Sequence, residues 1–208
     1  MFKLEHIKFL DVLSIDYLEI YKGEVTCIIG ESGAGKSTLA KLLNKMITPN
    51  SGTITYDDKD LKQYNTIELR REVLMLSQTP LIFEGSIEDN LQIGLEFSGE
   101  KLATKNEMMT QLKNMGLNKN LEDNVMNLSG GEKQRIALAR VALMSGNVYI
   151  LDEPTSALDD KTEMNVVKLF LEDAKKRGKT VIIITHSESL ANMFGDRVIE
   201  IKRGEIYD

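Results

Sequence analysis

A glycine-rich segment directly after an apolar run constrains this chain more than any other feature. Residues Val25–Ile29 form a run that is apolar except for Thr26, and the nine residues that follow, Gly30–Thr38, have the sequence GESGAGKST. This segment fills every fixed position of the pattern G-x-x-x-x-G-K-[ST], which is typical of a phosphate-binding loop between a buried strand and a helix. The sequence therefore predicts an anion site at the end of a buried strand.

The chemistry of the predicted loop depends on its backbone and on three side chains. Glycines permit a tight turn in which successive N–H groups point inward, and the positive end of the following helix dipole adds to their effect. We expect Lys36 to reach the β- and γ-phosphates, the Ser37 hydroxyl to ligate Mg²⁺, and Thr38 to donate to a nearer phosphate. The predicted nucleotide-binding residues of the loop are Gly30, Glu31, Ser32, Gly33, Ala34, Gly35, Lys36, Ser37 and Thr38.

A second apolar run ends in two carboxylates. In the segment VYILDE, Asp152 and Glu153 come at the C-terminal end of a predicted buried strand, where α/β proteins place their sites. Alone, the two acids could simply cap the next loop. Together with a phosphate loop they predict phosphoryl transfer, which needs mainly positioning and charge neutralisation. We expect Asp152 to hold Mg²⁺ through water and Glu153 to orient or deprotonate the attacking water.

The pattern of strands and helices predicts an α/β fold. Apolar runs that suit strands alternate with segments of helical periodicity, which indicates a mostly parallel sheet. The predicted strands include 53–56, 73–76, 149–151 and 181–185, with a turn at 57–60, and the predicted helices include 37–45, 133–144 and 164–176. Residues 86–127, rich in Met, Leu, Lys, Glu and Asn, are predicted to form several further helices.

Composition excludes several classes of protein. The 208 residues carry 26 Lys and Arg against 32 Asp and Glu, a formal charge of −6, so we expect no nucleic-acid partner. The single cysteine, Cys27, excludes a disulfide framework or a multi-cysteine zinc site and is expected in the core. No segment approaches the roughly 20 apolar residues of a membrane span, and the first residues lack the long apolar segment that is typical of a signal peptide. We therefore expect a cytoplasmic chain.

The segment Leu128–Arg135, LSGGEKQR, resembles the signature motif of ABC ATPases, which other phosphate-loop ATPases lack. Ser129 and Glu132 also have the S-x-x-E spacing of a capping box, so the segment is predicted to begin a helix. In the ABC family this motif closes over the γ-phosphate bound to a second subunit. The resemblance therefore implies that ATP is bound in a head-to-tail homodimer, with contacts from Ser129, Gly130 and Gly131.

The other motifs of the family follow in order, so that the resemblance covers essentially the whole chain. Gln78 matches the Q-loop, which senses γ-phosphate and Mg²⁺, and His186 matches the switch histidine, which contacts γ-phosphate. The implied catalytic residues are Lys36, Gln78, Glu153 and His186, and the implied Mg²⁺ residues are Ser37, Gln78 and Asp152. The D-loop residues implied at the dimer seam are Ser156, Ala157, Leu158 and Asp159.

The same resemblance predicts the domain organisation. It implies a single ABC ATPase domain over residues 1–208, with a RecA-like P-loop NTPase core, a small antiparallel β subdomain and an inserted helical subdomain. We place the core at about 1–78 and 146–208 and the helical subdomain at about 79–145.

One departure from the family concerns recognition of the base. Family members usually carry an aromatic residue that stacks on adenine a little after the first strand, but here that region is shortened to Ile7–Val12. Phe9 is the nearest candidate, and the alternative is that Phe9 points into the core.

The resemblance favours a transport ATPase that drives a separate transmembrane permease subunit from the cytoplasmic face of a membrane. Residues 39–127 leave no room for the long insertions of DNA-repair relatives, and 208 residues cannot hold the two ATPase domains of translation factors. Degenerate non-catalytic members lose residues that are present here, namely Ser129, Gly131, Glu153 and His186. A soluble ATPase of iron–sulfur cluster assembly is the alternative.

The direction of transport stays open at the level of sequence. Residues 81–91 resemble the segment after the Q-loop in exporters, whereas 121–127 lack the Glu-Arg loop of fused exporters. This mixture resembles small stand-alone ATPases of efflux and metal-export systems, and no regulatory domain is expected after residues 203–208.

Overall fold

Two β-sheets contain the strands of the computed structural model, which describes residues 1–207. One sheet is antiparallel with the strand order β2-β1-β4-β5, and the other has the order β10-β9-β3-β8-β7-β6. Neighbours in the second sheet are parallel except for the β9–β10 hairpin. The strands are β1 (Phe2–Phe9), β2 (Leu13–Ile20), β3 (Val25–Ile29), β4 (Ser51–Tyr56), β5 (Lys59–Asp60), β6 (Val73–Leu76), β7 (Val148–Asp152), β8 (Thr180–Ile184), β9 (Arg197–Lys202) and β10 (Glu205–Tyr207).

Helices cover the parallel sheet, which confirms the predicted α/β class. They are α1 (Lys36–Leu43), α2 (Thr66–Glu72), α3 (Ile87–Ser98), α4 (Lys105–Asn114), α5 (Gly130–Leu143), α6 (Asp160–Lys176) and α7 (Glu188–Phe194), with 3₁₀ turns at Leu61–Gln63 and Val125–Asn127. Within residues 1–207, none of these helices combines the length and the apolar character that crossing a bilayer requires.

Side chains along the central strands alternate between two hydrophobic clusters. In β8, Val181 and Ile183 pack into a cluster with α3 to α7, whereas Ile182 and Ile184 pack into a cluster with α1 and the antiparallel sheet. Both faces of the parallel sheet are therefore buried, which explains why its central strands are nearly continuous apolar runs in the sequence. Cys27 is buried on one of these faces, as predicted.

Several element boundaries differ from those predicted. The predicted start of α6 at Met164 is wrong, because the Asp159 side chain accepts a hydrogen bond from the Thr162 backbone N–H and begins the helix at Asp160. α5 begins at Gly130, directly after the predicted cap Ser129, and therefore includes the signature glycines that precede the predicted helical segment 133–144. Lys59 and Asp60, predicted as part of a turn, form the short strand β5 against β4.

The segment between β6 and β7 packs largely on itself. α5 lies against both α3 and α4, and the 3₁₀ turn Val125–Asn127 leads into it. The Arg140 guanidinium on α5 donates to the Leu81 carbonyl at 2.8 Å and to Asn90 Oδ1 at 3.0 Å, and so ties α5 to the segment after β6. The division into a core and a helical subdomain at residues 79 and 145 stays a prediction.

Candidate active site

The predicted phosphate loop connects β3 to α1, and two of its glycines are required by close approach. Gly35 caps α1 with φ 107°, and a Cβ there would lie 2.6 Å from the Leu13 side chain and 3.1 Å from the Val12 carbonyl oxygen. Gly30 has φ 143°, and a Cβ would overlap the backbone of Ile201 in β9. The loop is therefore confined between β1–β2 and β9, and only glycine fits at these two positions.

Lys36 lies at the centre of this loop. Its side chain is only 6% exposed, and Nζ donates to the carbonyl oxygens of Gly30 and Glu31, both at 2.8 Å. Burial lowers the pKa of Lys36, while the negative charges of Glu153 and Asp152 act in the opposite direction. The structure thus presents a largely buried cation inside a ring of backbone groups, an arrangement suited to binding phosphate oxygens.

Asp152 and Ser37 bring two oxygen-bearing side chains together at the phosphate loop. Asp152 ends β7 and is 3% exposed, and its Oδ1 atom has no hydrogen-bond partner. Burial raises the pKa of Asp152, and a hydrogen bond from Ser37 counteracts this effect. Residues 1–207 contain no cluster of three or more His, Cys, Asp or Glu that could hold a metal. Because Mg²⁺ commonly takes one or two protein ligands together with substrate phosphates, this pair fits Mg²⁺.

An Asp152→Asn exchange should have opposite effects on stability and on activity. The pKa of Asp152 is raised in the folded state, so the protonated, neutral side chain stabilises the fold. This contribution is lost as pH rises through the folded-state pKa, because the side chain then becomes a buried carboxylate. At neutral pH the neutral amide should therefore raise the Tm of the nucleotide-free protein, whereas hydrolysis with Mg²⁺ and ATP should fall sharply. Differential scanning calorimetry and a phosphate-release assay test both, and a lower Tm with normal hydrolysis would contradict the assignment.

Glu153 is held by residues from two neighbouring strand ends. Its Oε2 accepts from Gln78 Nε2 at 2.7 Å, and its Oε1 lies 2.8 Å from His186 Nε2. Gln78 follows β6 and His186 follows β8, and these strands flank β7 in the sheet. The structure thereby brings together three residues that the motifs predicted separately. A carboxylate held in this way is able to orient a water molecule and accept its proton.

The signature segment begins α5 through the predicted capping box. Ser129 Oγ accepts from the Glu132 backbone N–H at 3.3 Å, and Glu132 Oε2 accepts from the Ser129 N–H at 2.8 Å. The N–H groups of Gly130 and Gly131 belong to the first turn and have no acceptor within the helix. Ser129 and Gly130 are exposed, so this end of α5 is available to an anion.

The signature segment packs against the D-loop of the same chain. A Cβ at Gly131 would lie 3.2 Å from the Ala157 carbonyl oxygen and 3.4 Å from the Leu158 side chain. Ser156, Ala157 and Asp159 are exposed, and Asp159 caps α6. The two segments predicted at a dimer seam therefore form one continuous surface.

Lys119 is a candidate site residue that the sequence motifs did not indicate. Its Nζ lies 2.8 Å from Glu132 Oε1, and both side chains are partly buried. This hydrogen bond, with that from the Ser129 backbone, holds the pKa of Glu132 at about 2. Lys119 therefore neutralises a permanent negative charge beside the predicted anion site.

We expect a Lys119→Ala exchange to weaken ATP-dependent dimerisation by about fivefold to tenfold, because an uncompensated Glu132 charge would repel the phosphates. Adding Glu132→Gln, which removes that charge, should restore the wild-type dimer affinity. Sedimentation equilibrium with ATP measures both variants. A loss that persists in the double variant would contradict a purely electrostatic role for Lys119.

Phe9, the candidate for stacking on the base, is partly buried and packs against the hydrophobic cluster of the antiparallel sheet. With its ring engaged in that contact, binding should depend mainly on the triphosphate and Mg²⁺, which ATP and GTP share. We therefore expect a preference for ATP over GTP of less than about tenfold, roughly 1.4 kcal/mol. Competition binding measures this ratio, and a hundredfold preference for ATP would show that an aromatic side chain stacks on adenine.

The fold and the site together define a phosphate-loop nucleotide hydrolase, and comparison with known proteins identifies its family. The family model for the ABC transporter matches residues 13–156. The chain is 41% identical over 204 residues to a lactococcin-A transport/processing ATP-binding protein of Lactococcus lactis subsp. lactis, covering 95% of this chain and 28% of that protein. It is 37% identical to a phosphonates import ATP-binding protein of Synechococcus sp., covering 92% of this chain and 76% of that one.

A solved structure agrees with these relatives. A dimeric ATP-binding cassette in a post-hydrolysis state with ADP and Pi aligns with a TM-score of 0.87 and 28% identity, covering 100% of this chain and 97% of that chain. The chain belongs to the ABC transporter family, and it is an ATP-binding, ATP-hydrolysing cassette of that family. It spans only about 28% of the length of the two lactococcin transport relatives.

Proposed function

We propose that this chain hydrolyses ATP in a head-to-tail dimer, with Mg²⁺, and thereby drives a separate transmembrane subunit. The observation that carries the proposal is the convergence of the predicted catalytic side chains on one sheet edge. Glu153 contacts Gln78 and His186, while Lys36 and Asp152 lie at the adjoining strand-to-helix loop and strand end.

The chemistry follows from these positions. Lys36 neutralises charge on the β- and γ-phosphates. Ser37 and Asp152 would hold Mg²⁺, which would supply further charge neutralisation. Glu153 aligns a water molecule and accepts its proton as the water oxygen attacks the γ-phosphorus. The bond from that phosphorus to the bridging oxygen breaks, and the products are ADP and phosphate. Gln78 and His186 hold the carboxylate of Glu153 in place.

The dimer is supported by the exposed signature end of α5. Ser129, Gly130 and Gly131 offer a second set of phosphate donors, although the phosphate loop already surrounds the nucleotide on one side. A second protomer arranged head to tail would use these donors, and the related cassette with ADP and Pi was solved as a dimer. We propose that the γ-phosphate is bound from both sides and that hydrolysis opens the dimer.

The membrane partner is supported by an apolar surface beside the Q-loop. Leu81 and Phe97 are 66% and 70% exposed, and the Phe83 and Phe97 rings lie 6.2 Å apart in an edge-on contact. Arg140 holds the Leu81 carbonyl, so movement of α5 would reach this surface directly. We propose that a short cytoplasmic helix of the transmembrane subunit docks here, with the chain on the cytoplasmic face of the membrane.

We propose export as the direction of transport, of an efflux or metal-export type. Residues 81–91 resemble exporters, and the lactococcin-A relative is named for transport and processing. The phosphonates relative, which is named for import, is 37% identical, so overall similarity alone does not give the direction, and residues 81–91 carry the proposal of export.

Affinity purification of the tagged chain from detergent-solubilised membranes of its own cells tests the partner. We expect a multi-span membrane protein to copurify and to raise ATP turnover. Phe97→Ser on α3 should reduce the amount of membrane protein that copurifies. Tyr17→Ser, which removes an exposed aromatic residue on β2, away from the proposed docking surface, should leave that amount unchanged. Copurification of a soluble iron–sulfur scaffold in place of a membrane protein would overturn the proposal and favour the alternative function.

A further inference from the structure

The side-chain amide of Gln134 closes the loop that carries the catalytic carboxylate. Gln134 lies in the first turns of α5 and is 3% exposed. Its Nε2 donates to the Glu153 carbonyl oxygen at 2.7 Å and lies 3.4 Å from Ser156 Oγ, and its Oε1 accepts from the Ala157 backbone N–H at 3.3 Å. One amide thus joins both ends of the segment between Glu153 and Ala157.

The backbone of Glu153 needs such support. Its φ is 48°, in the left-handed region that residues with a Cβ rarely adopt and that persists only where the surroundings over-determine it. Its N–H donates to the Ile184 carbonyl at 2.9 Å on one side, and its carbonyl accepts from Gln134 on the other. These two hydrogen bonds fix the peptide groups that flank Glu153 and therefore the direction in which its carboxylate leaves the backbone.

We propose that Gln134 is a positioning residue for ATP hydrolysis, which holds the Glu153 backbone so that the carboxylate meets Gln78 and His186. The proposal rests on the role proposed above for Glu153. Because α5 begins at the signature glycines, the same amide connects the signature segment to the catalytic carboxylate of its own chain. The Ala157 N–H of the D-loop donates to the same amide, so the D-loop is also linked to the signature segment.

The chain offers a matched control in Gln92 on α3. Its Nε2 donates to the Ala103 carbonyl at 2.8 Å, and its Oε1 accepts from the Ala103 N–H at 3.0 Å. Gln92 therefore makes the same two-ended bridge from a side-chain amide to backbone, but its partner Ala103 lies in the segment between α3 and α4 rather than beside Glu153. Removing the Gln92 bridge therefore measures the effect on activity of losing such a bridge where no catalytic residue is positioned.

The test compares Gln134→Met, Gln134→Glu and Gln92→Met in steady-state ATP hydrolysis. Methionine keeps the length of the side chain but loses both hydrogen bonds, and glutamate loses the donor to the Glu153 carbonyl. We expect both Gln134 variants to lower kcat by at least about tenfold, with KM for ATP changed by less than about threefold, because a small displacement of a catalytic group has large kinetic effects. Gln92→Met should leave kcat within about twofold of wild type.

A second measurement separates positioning from general damage. In a Glu153→Gln background, the residual single-turnover rate should fall by less than about twofold when Gln134→Met is added, because no carboxylate is left to position. Wild-type kcat in Gln134→Met, or a full additional loss in that background, would overturn the inference. If Glu153→Gln itself hydrolyses ATP normally, the proposed role of Glu153 fails instead, so the two failures are distinguishable.

Discussion

Replacement of Lys36 by alanine is expected to abolish ATP hydrolysis and to weaken ATP binding by about 10-fold to 100-fold, the effect of losing charge-assisted hydrogen bonds to phosphate. The reason lies in the loop itself. Nζ is the cation at its centre, and its hydrogen bonds to the carbonyls of Gly30 and Glu31 connect two parts of the loop. Removing it deletes both the charge that attracts the triphosphate and an internal bridge of the loop.

Isothermal titration with ATP and a phosphate-release assay measure the two effects side by side. Lys168→Ala is a suitable control, because it removes a lysine that is mostly exposed on α6. If Lys36→Ala hydrolyses ATP at a near-normal rate, the γ-phosphate does not depend on this loop and the assignment of the loop is wrong.

Replacement of Glu153 by glutamine is expected to lower hydrolysis by about 10²-fold to 10⁴-fold, the usual contribution of a general base, while ATP binding persists. Glutamine keeps the shape of the side chain beside Gln78 and His186 but cannot accept the proton of the attacking water. Because ATP is then bound and not consumed, the variant should accumulate as a dimer. Light scattering with ATP, in the presence and absence of Mg²⁺, reports this directly.

Adding Ser129→Arg should return the Glu153→Gln protein to monomer. Ser129 is exposed at the start of α5, so a long cation there would obstruct a facing protomer without touching the phosphate loop of its own chain. Ser51→Arg, at an exposed position that begins β4, is the matched control and should leave the dimer intact. If the Ser129→Arg variant still dimerises on ATP, the signature segment does not act across the interface and the proposed mechanism is wrong.

Local signals in the sequence determined the elements that carry the site. Each of these signals lies within a few residues of the element that it predicts. The glycines predict the phosphate loop, the S-x-x-E spacing of Ser129 and Glu132 predicts the start of α5, and the apolar runs before Gly30 and after Asn147 predict β3 and β7. The α/β class with a mostly parallel sheet was predictable for the same reason. The boundaries were less predictable, because the cap at Asp159 begins α6 before the apolar periodicity does.

The tertiary structure decided which of these residues meet. Gln78, Glu153 and His186 come together because β6, β7 and β8 are neighbours in the sheet, an order that no local signal encodes. Sequence motifs also did not indicate the hydrogen bond from Gln134 to Glu153 or the ion pair of Lys119 with Glu132. Periodicity, turns and caps are properties of adjacent residues, whereas these contacts depend on how distant elements pack once the apolar faces of the sheet are buried.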